Sequence, residues 1–156
     1  SAIEQPWMVL AGDNLLDFSL GDAVAMQAED LATPLFLVRE IEGQVPPGRY
    51  SEVQLNPGDR ITRIREKPSD PTSPFSAIGA YLLPPDLPTL LRRYLEQGGE
   101  PDAPGHLMAW LVQERGGRAW RIPADSWWDI GDQDTYQLAK QAQLKNRIAI
   151  EPETLG

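Results

Sequence analysis

Three stretches of the sequence place a residue that could do chemistry at the end of an apolar run, beside glycine or proline. They are Gly12-Asp13-Asn14, Arg65-Glu66-Lys67-Pro68 and Trp127-Trp128-Asp129-Ile130-Gly131. Carboxylates from distant parts of a chain can share one hard cation, and Mg²⁺ is usually bound by one or two carboxylates together with substrate phosphates. A lysine ammonium is a compact charge suited to a phosphate. These residue types therefore indicate metal-assisted chemistry at phosphorus.

Each stretch also has a purely structural interpretation. Gly-Asp-Asn is ordinary turn chemistry at the end of a strand. Asp129 could pair with a nearby base or end a strand, and the Glu66-Lys67 dipeptide could be solvated surface, as such pairs usually are. Taken singly, each stretch favours the structural interpretation, so the functional one depends on their occurring together. The single histidine, His106, follows Gly105 at a predicted helix start, and we expect a surface or capping role for it.

The first of these stretches ends a short apolar run, Met8–Leu10, which is typical of a strand buried on both faces of an α/β sheet. A helix from Ala23 to about Leu31 and a second buried strand at Leu35–Val38 follow, which is the rhythm of a βαβ unit. In open α/β sheets, ligands bind outside the carboxyl ends of the strands. Asp13 is therefore predicted to stand at the mouth of a ligand-binding crevice.

The middle and end of the chain contain shorter elements, in keeping with 15 Pro and 13 Gly. Tyr50–Leu55 and Arg60–Glu66 predict a hairpin around a Pro-Gly turn, although the apolar pattern does not fix its register. Gly79 lies inside a predicted strand, where glycine often marks a close approach of backbone or ligand. The other predicted elements are a strand at Ser76–Leu83, helices from about Leu87 to Leu95, His106 to Arg115 and Gln133 to Asn146, a strand at Ala119–Pro123, and a tail from Ile148.

Composition narrows the classes of function. The 156 residues suit one domain with a sizeable core, and we expect a single, partial domain over residues 1–156. A net charge of −9 with scattered acids and bases argues against binding to nucleic acid. No apolar run approaches the length of a membrane span, and the sequence does not open with a signal-peptide pattern. The absence of cysteine excludes disulfides and thiolate sites and fits a cytoplasmic protein.

Taken in order, the three stretches and Gly79-Ala80-Tyr81 resemble the motifs of the sugar-1-phosphate nucleotidyltransferases, also called NDP-sugar pyrophosphorylases. Within that family the glucose-1-phosphate thymidylyltransferases and uridylyltransferases look most similar. The resemblance extends from about Val9 to Ala142. Glu-Lys-Pro alone is a weak signal, whereas four motifs in the right order and at plausible spacing are a fairly specific one.

The resemblance implies an α/β fold: a three-layer αβα Rossmann-like nucleotidyltransferase domain with a mixed sheet, incomplete at its N-terminal side. It also implies a reaction that joins a nucleoside triphosphate (dTTP or UTP) to a sugar 1-phosphate and releases pyrophosphate. Because the sugar-phosphate oxygen attacks the α-phosphorus directly, no protein nucleophile is needed. Catalysis then consists of positioning and charge stabilisation, which agrees with the lack of any nucleophilic triad in the sequence.

Roles for individual residues follow from the same resemblance. Asp13 and Asp129 would hold Mg²⁺ between the triphosphate and the sugar phosphate, and Lys67 would bind the sugar phosphate. These three residues form the implied catalytic set. Glu66 would accept hydrogen bonds from sugar hydroxyls, and Gly79 would leave room for the sugar ring. The implied substrate-binding set is Asn14, Glu66, Lys67, Gly79 and Trp127.

The sequence also departs from the family pattern. The family opens with a strand and a Gly-rich, Arg-containing loop that grips the triphosphate, and this sequence contains no such loop. Ser51 and Glu52 stand where the family usually has Gly and Val, and they would crowd or repel a sugar phosphate if they faced it. Asp132 stands where Thr is common.

Two explanations fit these departures: a piece of a longer enzyme, inactive by itself, or a shortened relative that no longer turns over. The second corresponds to a different function, that of a non-catalytic domain that senses a sugar phosphate or mediates assembly. A buried strand needs neighbouring strands on both sides. A shortened relative would therefore need something in place of the missing first strand, and a second copy of the chain is the candidate.

Overall fold

The computed structural model describes the backbone of residues 5–102, 104–131 and 133–150, and the side chains of these residues as far as 142. Within this part of the chain the structure contains eight strands and four helices. Their order is β1 (Trp7–Leu10), β2 (Asn14–Leu16), α1 (Gly21–Glu29), β3 (Leu35–Glu40), β4 (Glu52–Leu55), β5 (Ile61–Arg65), β6 (Phe75–Leu83), α2 (Leu87–Glu96), α3 (Pro104–Arg115), β7 (Arg118–Arg121), β8 (Trp127–Asp129) and α4 (Gln133–Ile150).

The long strand β6 is the centre of the main sheet. It pairs with β3 along one side, and with β4 and then β1 along the other, always antiparallel. The order β5-β4-β6-β3-β7 describes the sheet, with β1 attached to β6. Among the hydrogen-bonded pairs of described strands, only β3 and β7 run parallel. The sheet is therefore mixed, as predicted, but mostly antiparallel. The two strands of the predicted βαβ unit, β1 and β3, run in the same direction but are not neighbours, because β6 lies between them.

Alternate residues of β3 pack on opposite faces of the sheet, and this arrangement places helices on both sides. Leu35 and Leu37 belong to the buried cluster that contains Ala23 of α1. Phe36 and Val38 belong to the other cluster, to which α2 and α3 contribute. A continuous apolar run is what a strand buried on both faces requires. The predicted three-layer αβα architecture is confirmed.

Strand β1 forms where the sequence predicts it, but its environment differs from the prediction. It pairs only with the end of β6, from Trp7 opposite Leu83 to Leu10 opposite Ala80. Its side chains are exposed, from 38% at Trp7 to 49% at Leu10. The prediction that this run is buried on both faces is wrong for the described structure, because no described strand covers the second edge of β1.

The predicted hairpin of β4 and β5 contains an irregularity that explains its sequence pattern. Val53 lies opposite Ile64, whereas Leu55 lies opposite Ile61, so the register shifts by one residue between the two pairs. Such a bulge inserts an extra residue into one strand of an antiparallel pair. Ile61 and Ile64 can therefore both be buried although they are three positions apart.

The helix ends differ in detail from the predictions. α1 begins at Gly21 rather than Ala23, and Asp22 lies in its first turn while Leu20 occupies the N-cap position. α4 continues to Ile150, so residues 148–150 are helical rather than part of a tail. Asp132, which stands where the family commonly has Thr, lies outside the described residues. No helix in the described part of the chain has the length and apolar character needed to cross a membrane.

Candidate active site

A small two-stranded sheet brings the two predicted metal ligands to the same place. β2 and β8 pair antiparallel with Asn14 opposite Asp129. The Ile130 backbone N–H donates a 2.7 Å hydrogen bond to the Asp13 carbonyl oxygen, which continues the pairing beyond the strand. Two aspartates separated by more than one hundred residues in sequence therefore lie on neighbouring backbone positions.

Asn14 joins these strands to the main sheet through its side chain. Its Oδ1 atom accepts hydrogen bonds from Trp127 Nε1 (2.6 Å) and from the Gly79 backbone N–H (3.3 Å). Its Nδ2 atom donates to Asp13 Oδ1 at 2.8 Å. Because an indole N–H and a backbone N–H can only donate and a carboxylate can only accept, all three contacts require the same orientation of the amide. Asn14 therefore orients the Asp13 carboxylate.

Lys67 follows β5 and has a left-handed backbone conformation, with φ of 43°. This conformation costs an L-residue about 1–2 kcal/mol, and strained residues of this kind cluster at functional sites. The side chain is exposed, and no carboxylate of the described residues lies within ion-pair distance of it. The ammonium is therefore available to an anion.

Gly79 lines the candidate site, and the structure shows a further reason for a glycine there. A Cβ built at this position would lie 2.5 Å from the Ala11 side chain and 3.4 Å from Asn14 Oδ1. A side chain would therefore push the segment after β1 away from β6. The implied role of leaving room for a sugar ring stays a prediction.

Glu52 does not face the candidate site. Its side chain is fully buried on the other side of β4, where Arg65 Nε donates a 2.7 Å hydrogen bond to it. The backbone N–H groups of Thr72 and Ser73 also donate to the carboxylate. Burial works to raise the Glu52 pKa, but these hydrogen bonds and the Arg65 charge outweigh it, and the pKa lies below its usual value. The expected repulsion of a phosphate by Glu52 therefore does not arise.

Two arginines that the sequence analysis did not single out line the same region. The guanidinium of Arg39 lies 4.4 Å from the centre of the Tyr50 ring and 4.3 Å from that of Trp127. Its Nε atom is buried and has no hydrogen-bond partner among the described residues, and burial lowers the pKa of the guanidinium. Arg49 lies 5.1 Å from the Tyr50 ring centre. Cation–π contacts of this kind hold aromatic rings in place.

One signal in the sequence could have identified Arg39. It follows the buried run Leu35–Val38 within β3, just as Asp13 follows the run of β1. Arg49 and Tyr50 carry no such signal because they follow Pro46-Pro47-Gly48 rather than an apolar run.

All seven predicted site residues line one cavity of about 310 Å³. Six further residues complete its wall, and among them Tyr81 bears on the electrostatics. Burial, and to a smaller extent the charge of Glu66, raise the pKa of Tyr81 to about 12, so that this phenol is neutral at pH 7. The predicted residues are Asp13, Asn14, Glu66, Lys67, Gly79, Trp127 and Asp129; the other residues of the wall are Arg49, Tyr50, Ser51, Ala77, Ile78 and Tyr81.

The carboxylates that line this cavity suit a cation that takes most of its ligands from water and from substrate phosphates. Among the described residues, no three His, Cys, Asp or Glu side chains are grouped so that they could enclose a metal ion. Zinc and calcium sites built from protein ligands alone need three or more. A pair such as Asp13 and Asp129 fits Mg²⁺, which keeps waters and binds substrate phosphates.

Comparisons with known proteins give the family and the fold of the chain. UTP–glucose-1-phosphate uridylyltransferase AglF of Haloferax volcanii is 36% identical to the chain over 83 residues, which are 53% of this chain and 34% of that relative. A crystal structure assigned to a glucose-1-phosphate thymidylyltransferase of Bacillus anthracis, in complex with sucrose, matches with a TM-score of 0.71 at 18% identity. That match covers 99% of this chain and 58% of the other, and it shows the fold.

The chain thus spans only part of the length of both proteins. A model of the nucleotidyl transferase family matches residues 2–146, nearly the whole chain. This match shows that the chain belongs to the nucleotidyl transferase family, and with the two relatives it confirms the resemblance to sugar-1-phosphate nucleotidyltransferases.

Proposed function

We propose that this chain provides the sugar-phosphate and metal-binding side of a site that joins a nucleoside triphosphate, dTTP or UTP, to a sugar 1-phosphate. The observation that carries the proposal is the single cavity lined by all seven predicted residues. These residues come from four separate stretches of sequence, and chance would not gather them on one wall. The uridylyltransferase relative supports the choice of a sugar 1-phosphate as substrate.

In the proposed reaction, an oxygen of the sugar phosphate forms a bond to the α-phosphorus of the triphosphate. The bond from that phosphorus to the oxygen bridging to the β-phosphate breaks, and pyrophosphate leaves with the electron pair. Lys67 binds the sugar phosphate and offsets its charge, while Glu66 accepts hydrogen bonds from sugar hydroxyls. Trp127 lines the cavity. Mg²⁺, when bound to Asp13 and Asp129, supplies positive charge to the phosphates.

A non-catalytic domain that senses a sugar phosphate is the second candidate. Glu52 no longer supports it, because that carboxylate is buried away from the cavity. The two candidates share the binding step and differ in turnover. Turnover, where it is observed, therefore identifies the transferase.

The first experiment is a calorimetric titration of the folded chain with glucose 1-phosphate, with and without Mg²⁺. We expect saturable binding that Lys67→Ala weakens about tenfold or more, as befits the loss of a charge-assisted contact. Lys140→Ala is the matched control, because it removes an exposed ammonium from α4 that does not line the cavity. Asp129→Asn should remove the effect of Mg²⁺ on the affinity.

The second experiment adds dTTP or UTP and measures the release of pyrophosphate. Release that requires both glucose 1-phosphate and Lys67 supports the transferase. Binding without release is expected both of a chain that holds only this side of the site and of the sensing domain. Dependence of the binding on Mg²⁺ and on Asp129 then favours the transferase site, since sensing a sugar phosphate does not need a cation shared with a triphosphate. The absence of binding by a chain shown to be folded would contradict the proposal.

A further inference from the structure

We propose that Ser51 and Gly105 are positioning residues that fix Glu66, so that one of its carboxylate oxygens is reserved for a sugar hydroxyl. This inference rests on the proposed function and concerns how the same cavity selects its sugar. Ser51 is one of the departures from the family pattern, where glycine is usual. In this structure its side chain belongs to the cavity wall together with Glu66.

The first contact is a hydrogen bond from the hydroxyl of Ser51 to Glu66 Oε2. Ser51 immediately precedes β4 and Glu66 immediately follows β5, so the contact joins neighbouring ends of the hairpin. The donor is a side-chain hydroxyl, which a glycine could not supply. Ser51, which was expected to crowd a sugar phosphate, therefore donates a hydrogen bond to Glu66, the side chain expected to bind the sugar hydroxyls.

The second contact involves the same oxygen of Glu66. Gly105 lies in the first turn of α3, and a Cβ built on it would overlap Glu66 Oε2 and the carboxylate carbon. No other residue type leaves room for the carboxylate at this place. The approach also brings the anion close to the N-terminal end of a 12-residue helix, where the backbone dipoles favour negative charge.

The two contacts leave the carboxylate with one free oxygen. Oε2 is bonded to Ser51 and packed against Gly105, whereas Oε1 has no hydrogen-bond partner among the described residues. Glu66 is half-buried, which limits the directions from which a donor can approach. A hydroxyl of a ligand in the cavity is such a donor, and the fixed carboxylate would accept from one hydroxyl position better than from the others.

The test compares glucose 1-phosphate with its monodeoxy analogues, each of which lacks one hydroxyl, by calorimetric titration of the full chain. We expect the wild-type chain to bind one analogue about tenfold less tightly than glucose 1-phosphate, because a hydrogen bond to a carboxylate is lost. Ser51→Ala should reduce this preference to about threefold or less. Ser51→Thr, which keeps the hydroxyl, should restore it.

Ser73→Ala is the matched control. The Ser73 hydroxyl donates a 2.6 Å hydrogen bond to the Val53 carbonyl oxygen in the core and does not line the cavity. The control should lower stability and leave the preference among analogues unchanged. Gly105→Ala should abolish the preference even though alanine is the better helix former.

Three results would overturn the inference while the proposed function stands. They are a wild-type chain that binds glucose 1-phosphate and all its analogues alike, a Ser51→Ala variant with the full wild-type preference, and equal losses of preference in Ser51→Ala and Ser73→Ala. If the folded wild-type chain binds no glucose 1-phosphate, the proposed function fails and this inference fails with it.

Discussion

The indole nitrogen of Trp127 donates a 2.6 Å hydrogen bond to Asn14 Oδ1, and Asn14 in turn donates to Asp13. The aromatic wall of the cavity and a candidate metal ligand are thus connected through one amide. Arg39, stacked on the ring of Trp127, extends the connection to β3. The position of the Asp13 carboxylate consequently depends on residues from three strands of two sheets.

This connection predicts energetic coupling between Asn14 and Trp127. Asn14→Leu leaves the indole N–H, which is partly buried, without an acceptor, and we expect a loss of about 1–3 kcal/mol in the free energy of unfolding. Trp127→Phe removes the donor, so the double variant should lose about 1 kcal/mol less than the sum of the single losses. Urea denaturation of the four proteins measures the difference.

Trp110→Phe provides the control for this cycle. The indole of Trp110 also donates a side-chain hydrogen bond, to Gln97 at 3.0 Å, but on the opposite face of the sheet. The loss in the free energy of unfolding caused by Trp110→Phe should simply add to the loss caused by Asn14→Leu. Additive losses for Trp127→Phe as well would show that the Asn14 contact carries no energy.

The buried pair of Glu52 and Arg65 predicts how stability depends on pH. Because the Glu52 pKa in the folded protein lies below the usual value of 4.5, its contribution is present in full above pH 4.5 and is lost as the pH falls through the folded-state pKa. Glu52→Gln should remove this part of the acid sensitivity. It should also cost about 1–3 kcal/mol at pH 7, because the backbone N–H groups of Thr72 and Ser73 lose a charged acceptor. Arg65, which is partly exposed, keeps Asp70 as a partner.

Urea denaturation from pH 7 down to pH 3 tests this prediction. The free energy of unfolding should fall more steeply with decreasing pH in the wild-type chain than in Glu52→Gln. Glu42→Gln, at an exposed position, should keep the wild-type slope. Parallel curves for the wild-type chain and Glu52→Gln would contradict the prediction.

The sequence predicts the elements of this fold better than their surroundings. Leu35–Val38 is a continuous apolar run and is buried on both faces, because a strand in the middle of the sheet needs such a run. The run of β1 has the same character, yet its exposure depends on which strands lie beside it. The apolar pattern of a strand shows which side chains can be buried. Whether they are buried depends on the strands and helices that pack against that strand.

The same distinction applies to the candidate site. Asp13, Lys67 and Asp129 could be predicted as site residues because their stretches occur together, in the order of the motifs of a known family. The direction of the Glu52 side chain could not be predicted, because it depends on Arg65 and on backbone N–H groups that lie 20 and 21 residues further along the chain. Glu52 is thus next to the site in sequence, but its buried side chain does not line the cavity.

The exposed edge of β1 predicts self-association. An edge strand with exposed apolar side chains and unpaired backbone groups is a template for pairing with another chain. We expect the apparent mass of the chain in sedimentation experiments to rise with concentration, and Val9→Lys to reduce the rise. Val24→Lys is the control, because it changes an equally exposed valine on α1. Equal behaviour of the wild-type chain and both variants would contradict the prediction.

The backbone of Lys67 predicts that stability and ligand binding respond in opposite directions to one substitution. Glycine adopts a φ of 43° without the steric cost that lysine bears. Lys67→Gly should therefore keep or raise the free energy of unfolding, by at most about 1 kcal/mol because glycine also gains entropy in the unfolded chain. Lys67→Ala keeps the strain and should not gain this stability.

Both variants remove the ammonium, so both should lose affinity for glucose 1-phosphate to the same extent. Thermal unfolding and calorimetric titration of the two variants measure the two effects separately. If Lys67→Gly were clearly less stable than Lys67→Ala, the left-handed conformation would not be strained. The combined outcome expected here, a more stable chain that binds less, would show that the strain is retained for the sake of the charge that Lys67 places in the cavity.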